Sequence, residues 1–103
     1  MAKTFLANAF SLQMLSSTPA TVKVEEIAAA DVDASAESVI GHADTAAVVG
    51  NLLGREVPMN RVSISVNPGD VLYVAQVTGG RLPEGSTTLP EGFAIKFLKV
   101  TVA

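Results

Sequence analysis

The sequence predicts an α/β domain, a mixed central sheet of about five strands flanked by helices. Three observations carry that expectation. Several short stretches alternate polar and apolar residues with the period of two that a half-buried strand requires. One stretch repeats its apolar residues at helical spacing instead. Proline- and glycine-bearing turns separate these stretches.

Residues 3–10 open with an apolar run of β type, the first strand candidate, and Ser16-Ser17-Thr18-Pro19 reads as a connection. Residues 21–27 alternate as a second strand. Residues 28–38 are alanine-rich and weakly patterned, with room for a short helical turn. The clearest helix covers residues 44–53. There Val48, Val49, Leu52 and Leu53 share a face, and Gly54 stands where a C-terminal glycine is expected. Gly50 inside it costs about 1 kcal/mol relative to alanine, which suggests that another element approaches closely. Residues 61–66 alternate, Asn67-Pro68-Gly69-Asp70 carries a type II turn signature, and residues 71–77 continue as a strand. Together, residues 61–77 predict a β-hairpin. Residues 79–92 hold four glycines and two prolines and form a long loop of the kind that often closes over or lines a site. Residues 94–102 are the last strand.

The chain of 103 residues fits one domain, 1–103, and its 49% apolar content is enough for a core. No apolar run reaches the roughly 18–20 residues that span a bilayer, and Met1-Ala2-Lys3-Thr4-Phe5-Leu6 is not the start of a signal peptide, so no membrane partner and a cytoplasmic location are expected. Without cysteine there is neither a disulfide nor a thiolate metal site. The formal charge of −3 argues against a grip on long nucleic acid, which needs a basic stripe. A nucleotide ligand would have to be small and held by a few arginines.

The chemistry that these residues can support is narrow. A single histidine and no cysteine argue against zinc, and no cofactor or metal is expected. Gly79-Gly80 lacks the Gly-Lys-Ser/Thr of a phosphate loop, and no serine lies in a nucleophile elbow. Asp31 and Asp33 read as an exposed acidic pair. His42 lies in Val39-Ile40-Gly41-His42-Ala43-Asp44-Thr45-Ala46, at the entrance to the helix. Free N–H groups and a partial positive charge there favour a phosphate, and an imidazole can pass a proton near neutral pH. By position alone His42 reads more simply as a cap or packing residue. Arg61 has Glu56 or Asp70 as ordinary partners, Arg81 and Glu84 read as an exposed loop pair, and Asn8 and Ser11 read as turn formers. Gln76, in an otherwise apolar strand, is an amide that would need partners if buried.

Four stretches give these residues a common setting: Phe5-Leu6-Ala7-Asn8-Ala9-Phe10-Ser11, Ile40-Gly41-His42-Ala43-Asp44-Thr45-Ala46, Val57-Pro58-Met59-Asn60-Arg61-Val62 and Arg81-Leu82-Pro83-Glu84-Gly85. In their order and spacing they resemble the small viral and prokaryotic ring-nuclease family that includes the type III anti-CRISPR protein degrading cyclic tetra-adenylate. The resemblance spans essentially the whole chain. It implies a central sheet flanked by helices and a homodimer with cyclic tetra-adenylate bound across the two-fold axis. By matching position, His42 corresponds to the catalytic histidine and Glu84 to its assisting glutamate. Arg81 and Arg61 match arginines near the phosphates, and Asn8, Ser11 and Gln76 match polar residues of the nucleotide pocket.

The implied reaction is metal-independent cleavage of the ring to linear di-adenylates with a 2′,3′-cyclic phosphate, which would silence type III CRISPR signalling. The ligand carries four phosphates, and a dimer supplies two copies each of Arg61 and Arg81, so an acidic protein could hold the ring while repelling long nucleic acid. Two other readings are a sponge that binds the ring without turnover and a small dimeric protein-interaction module. His42 together with Glu84 favours catalysis over the sponge, which needs neither.

Overall fold

The computed structural model describes residues 3–80, 82–83 and 85–103. Among these residues the chain builds one α-helix and a five-stranded mixed sheet whose strands lie side by side in the order 22–27, 94–102, 71–78, 4–7 and 37–38. The strands are β1 (Thr4–Ala7), β2 (Val22–Ile27), β3 (Glu37–Ser38), β4 (Val71–Thr78) and β5 (Ala94–Val102), and the helix α1 is Ala43–Leu53. The α/β expectation therefore stands. Strand β1 runs parallel to both β3 and β4, while β5 is antiparallel to β4 and β2. No helix among the described residues is long and apolar enough to cross a membrane.

Alternation along the strands sorts the core into two layers. Leu6, Tyr73, Ala75 and Phe97 point to one face and pack with Ala46 and Val49 of α1 and with Ile40 and Val57. Phe5, Ala7, Leu72, Val74 and Val100 point to the other, where Phe10, Met14 and Ile64 cover them. Left-handed Gly54 (φ 73°) closes α1, its N–H donating to the Gly50 carbonyl. Gly50 is buried, and a β-carbon on it would lie 2.7 Å from the Arg55 carbonyl oxygen and 3.2 Å from the Val57 nitrogen. This is the close approach that a glycine inside a good helix implied. The weakly patterned stretch 28–38 holds a 3-10 turn, Ala29–Asp31, and the two residues of β3.

The hairpin expected over residues 61–77 does not form. Its turn does: Gly69 takes φ 91°, and the Asp70 N–H donates to the Asn67 carbonyl at 2.9 Å. But β4 leaves that turn to pair with β1 on one side and β5 on the other, so neither edge is free for residues 61–66. That segment instead lies over the second core layer. There Val66 exchanges backbone hydrogen bonds with Met14 (2.6 Å) and Ser16 (3.2 Å). The alternation of residues 61–66 reported half-burial correctly, with Val66 fully buried and Val62 half exposed, but not the pairing partner.

Candidate functional site

Because β1, β3 and β4 are parallel, their carboxyl ends open at one edge of the sheet, which is where ligands of open α/β sheets usually bind. Asn8 follows β1, residues 39–42 follow β3 into α1, and the loop 79–92 follows β4. Chain topology thus brings together segments that are distant in sequence.

His42 is the N-cap residue of α1, with extended backbone (φ −129°, ψ 126°), and its carbonyl accepts from the Ala46 N–H at 3.0 Å. Among the described residues its side chain makes no capping hydrogen bond, and the residue is exposed. The capping role that position alone allowed is therefore not what the imidazole does. The first turn of α1, which carries Asp44, and the positive end of the helix dipole lie next to it.

Arg61 reaches the same place from another part of the chain. Residues 57–60 run alongside residues 38–40: the Asn60 N–H donates to the Ile40 carbonyl at 2.8 Å, and Asn60 Nδ2 donates to the Ser38 carbonyl at 2.9 Å. Ser38 Oγ donates to the Pro58 carbonyl at 2.6 Å. This lays the stem of Arg61 against Gly41, the residue before His42; a β-carbon on Gly41 would sit 3.1 Å from Arg61 Cγ. The ion pairs among the described residues are Lys23–Glu25 and Lys96–Glu26, so neither Glu56 nor Asp70 takes Arg61. Asp70 accepts instead from the backbone N–H groups of Lys3 (2.8 Å) and Asn67 (2.9 Å). Arg55, by contrast, is engaged, donating to the carbonyls of Ala34 and Asp33. An exposed arginine with no ion pair among the described residues, packed against the residue before a helix N-cap, suits an anionic ligand.

Asn8 and Gln76 line a cavity of about 230 Å³ on the sheet face opposite α1. Its other walls are Ala9, Phe10, Val24, Val74, Leu98 and Val100, an apolar box with two amides and one aromatic ring. Gln76 is exposed rather than buried, because the apolar cover of that face ends before it. Ser11 is outside this lining; its hydroxyl accepts from the Gln13 N–H at 3.3 Å and caps the 3-10 turn Leu12–Met14. Glu84 and Arg81 lie outside the described residues. Asp31 and Asp33 serve local turns, accepting from the Ala28 and Ser35 N–H groups respectively. The Ser35 N–H, helped by its hydroxyl, holds the Asp33 carboxyl below its ordinary value. No three His, Cys, Asp or Glu side chains among the described residues group as a metal site.

Asn60 and Ser38 are the contributors that sequence reasoning undervalued. Asn60 was visible beside Arg61 in the third motif, but its partners are backbone carbonyls up to 22 residues away.

The fold and site together define a small α/β protein with a histidine at the N-cap position of a helix and an arginine stem packed on the glycine before it, at the carboxyl edge of its parallel strands. The chain belongs to the STIV B116-like family, which it matches over residues 4–95. It is similar in structure to B116 of Sulfolobus turreted icosahedral virus (STIV), with a TM-score of 0.81 and 30% sequence identity, over 97% of this chain and 99% of that one. No curated protein matches it.

Proposed function

We propose that this protein is a metal-independent ring nuclease that cleaves cyclic tetra-adenylate and thereby shuts down type III CRISPR signalling. The observation that carries the reading is His42 at the N-terminus of α1, exposed and with its side chain uncommitted among the described residues, with Arg61 packed against the preceding Gly41. The motif resemblance supplies the substrate, and the geometry is compatible with the chemistry.

RNA carries its own nucleophile. The 2′-oxygen attacks the adjacent phosphorus as the bond to the 5′-oxygen breaks, leaving a 2′,3′-cyclic phosphate. His42 donates a proton to the departing 5′-oxygen, and the 2′-hydroxyl proton passes to solvent. Arg61 and Arg81 carry the charge growing on the phosphate oxygens, assisted by the N–H groups of the first turn of α1. Glu84 orients the imidazole, while Asn8, Gln76 and Ser11 contact the nucleotides. In the homodimer two such sites face one ring, which yields two linear di-adenylates. B116 is a protein of a virus. In a viral setting the activity would act in the host cytoplasm as an anti-CRISPR; in a cellular one it would be an off-switch.

Incubation with cyclic oligoadenylates of several ring sizes in chelator, followed by separation of linear products, tests the reading. Turnover that survives chelator and fails in His42→Ala supports it. Full activity of His42→Ala refutes the mechanism, and tight binding without products points to a sponge.

A further inference from the structure

Arg61 is exposed and follows an extended segment without regular structure, yet charge stabilisation requires its head to be held in place. What fixes the backbone and stem that carry that head is a short clamp. Asn60, half-buried, donates twice across the gap, from its backbone N–H to the Ile40 carbonyl (2.8 Å) and from Nδ2 to the Ser38 carbonyl (2.9 Å). Ser38 returns the link through its hydroxyl to the Pro58 carbonyl (2.6 Å). The bonds thus run both ways between the chain entering His42 and the chain entering Arg61. Ser38 is buried and Ile40 fully so, which anchors one side of the clamp in the core. Gly41 completes it, because without a β-carbon it lets the Arg61 stem settle on the backbone next to His42.

We propose that Asn60 is a positioning residue that locks Arg61 against Gly41, so that His42 and Arg61 meet the same phosphate. Its kinetic consequence rests on the nuclease reading above; the clamp itself does not. Asn60 touches no substrate and acts through Arg61. Its side-chain bond is the part a substitution can remove, since the backbone bond to Ile40 survives any replacement except proline.

Two measurements test this. In the ligand-free protein, the nuclear Overhauser contact between the Arg61 γ protons and the Gly41 α protons should weaken in Asn60→Ala and in Ser38→Ala while both still melt cooperatively. An undiminished contact in both variants overturns the clamp. On cyclic tetra-adenylate, Asn60→Ala should lower kcat/KM about tenfold, yet change the Arg61→Ala variant less than about twofold, because the residue through which it acts is then gone. Equal losses in the two backgrounds overturn action through Arg61. A wild-type protein without turnover whose proton contact still depends on Asn60 supports the clamp and refutes the nuclease.

Discussion

Replacing Asp70 with asparagine changes one atom at a junction between distant parts of the chain. Asp70 is 3% exposed, and its two carboxylate oxygens accept from the Lys3 N–H at 2.8 Å and the Asn67 N–H at 2.9 Å. Asparagine keeps one acceptor and turns an NH₂ group toward the other N–H. One part-buried bond to a charged acceptor is lost and its donor is left facing an NH₂ group, a cost of about 1–2 kcal/mol. For a domain of this size that lowers the melting temperature by roughly 10 °C. The effect should also depend on pH. The Lys3 N–H foremost, then that of Asn67, holds the Asp70 carboxyl below its ordinary value of 3.8. A depressed value in the folded state means that the stabilisation is complete well above 3.8 and is lost as pH falls through the folded-state value. Urea unfolding of both proteins at neutral pH and near pH 3 measures this. The wild type should lead by the full margin at neutral pH, and the margin should shrink in acid. Equal stabilities at neutral pH, or a margin indifferent to acid, would refute the reasoning.

Gly50→Ala sets helix propensity against space. The gain of about 1 kcal/mol is outweighed by a contact with the Arg55 carbonyl that only a backbone shift relieves, so thermal melts should show a net loss of about 1–2 kcal/mol. His42→Ala should leave the melting temperature within about 2 °C, because the side chain is exposed and caps nothing among the described residues. On the nuclease reading proposed above, the same variant lowers turnover of cyclic tetra-adenylate by roughly a hundredfold or more, as expected for loss of a general acid. On that reading Gln76→Leu also weakens cyclic tetra-adenylate binding by about tenfold in calorimetry without lowering stability, since the amide is exposed at the cavity wall.

The elements that were legible in the sequence are those whose own residues encode their period. Residues 94–102, read as the last strand, form β5 with those bounds, and the helix read over residues 44–53 runs from Ala43 to Leu53. Strand β3 was not legible because two residues carry no period. The hairpin was misread because alternation is blind to partner: Ile64 and Val66 face a core in either arrangement. In the site, His42 was placed correctly at the helix entrance, since the apolar stripe that ends at Gly54 extends back to the residues that follow His42. The joining of Arg61 to Gly41 could not be seen, because it depends on carbonyls of Ser38, Ile40 and Pro58 that any residue would supply.

The pairing of β1 with β4 joins Thr4 to Val71 and Ala7 to Val74, so the middle of the sheet is sealed by the two most widely separated parts of its parallel layer. A chain emerging from the ribosome carries β1 long before β4 exists, and closing so large a loop costs entropy before any contact repays it. Until then β1 can share only Phe5–Glu37 and Leu6–Ser38 with β3. Folding should therefore be late and all-or-none, with the apolar residues of β1 exposed in the meantime to chaperones. The bonds that join the His42 and Arg61 segments run between residues 38–40 and 58–60, a far shorter loop that does not wait for that seam.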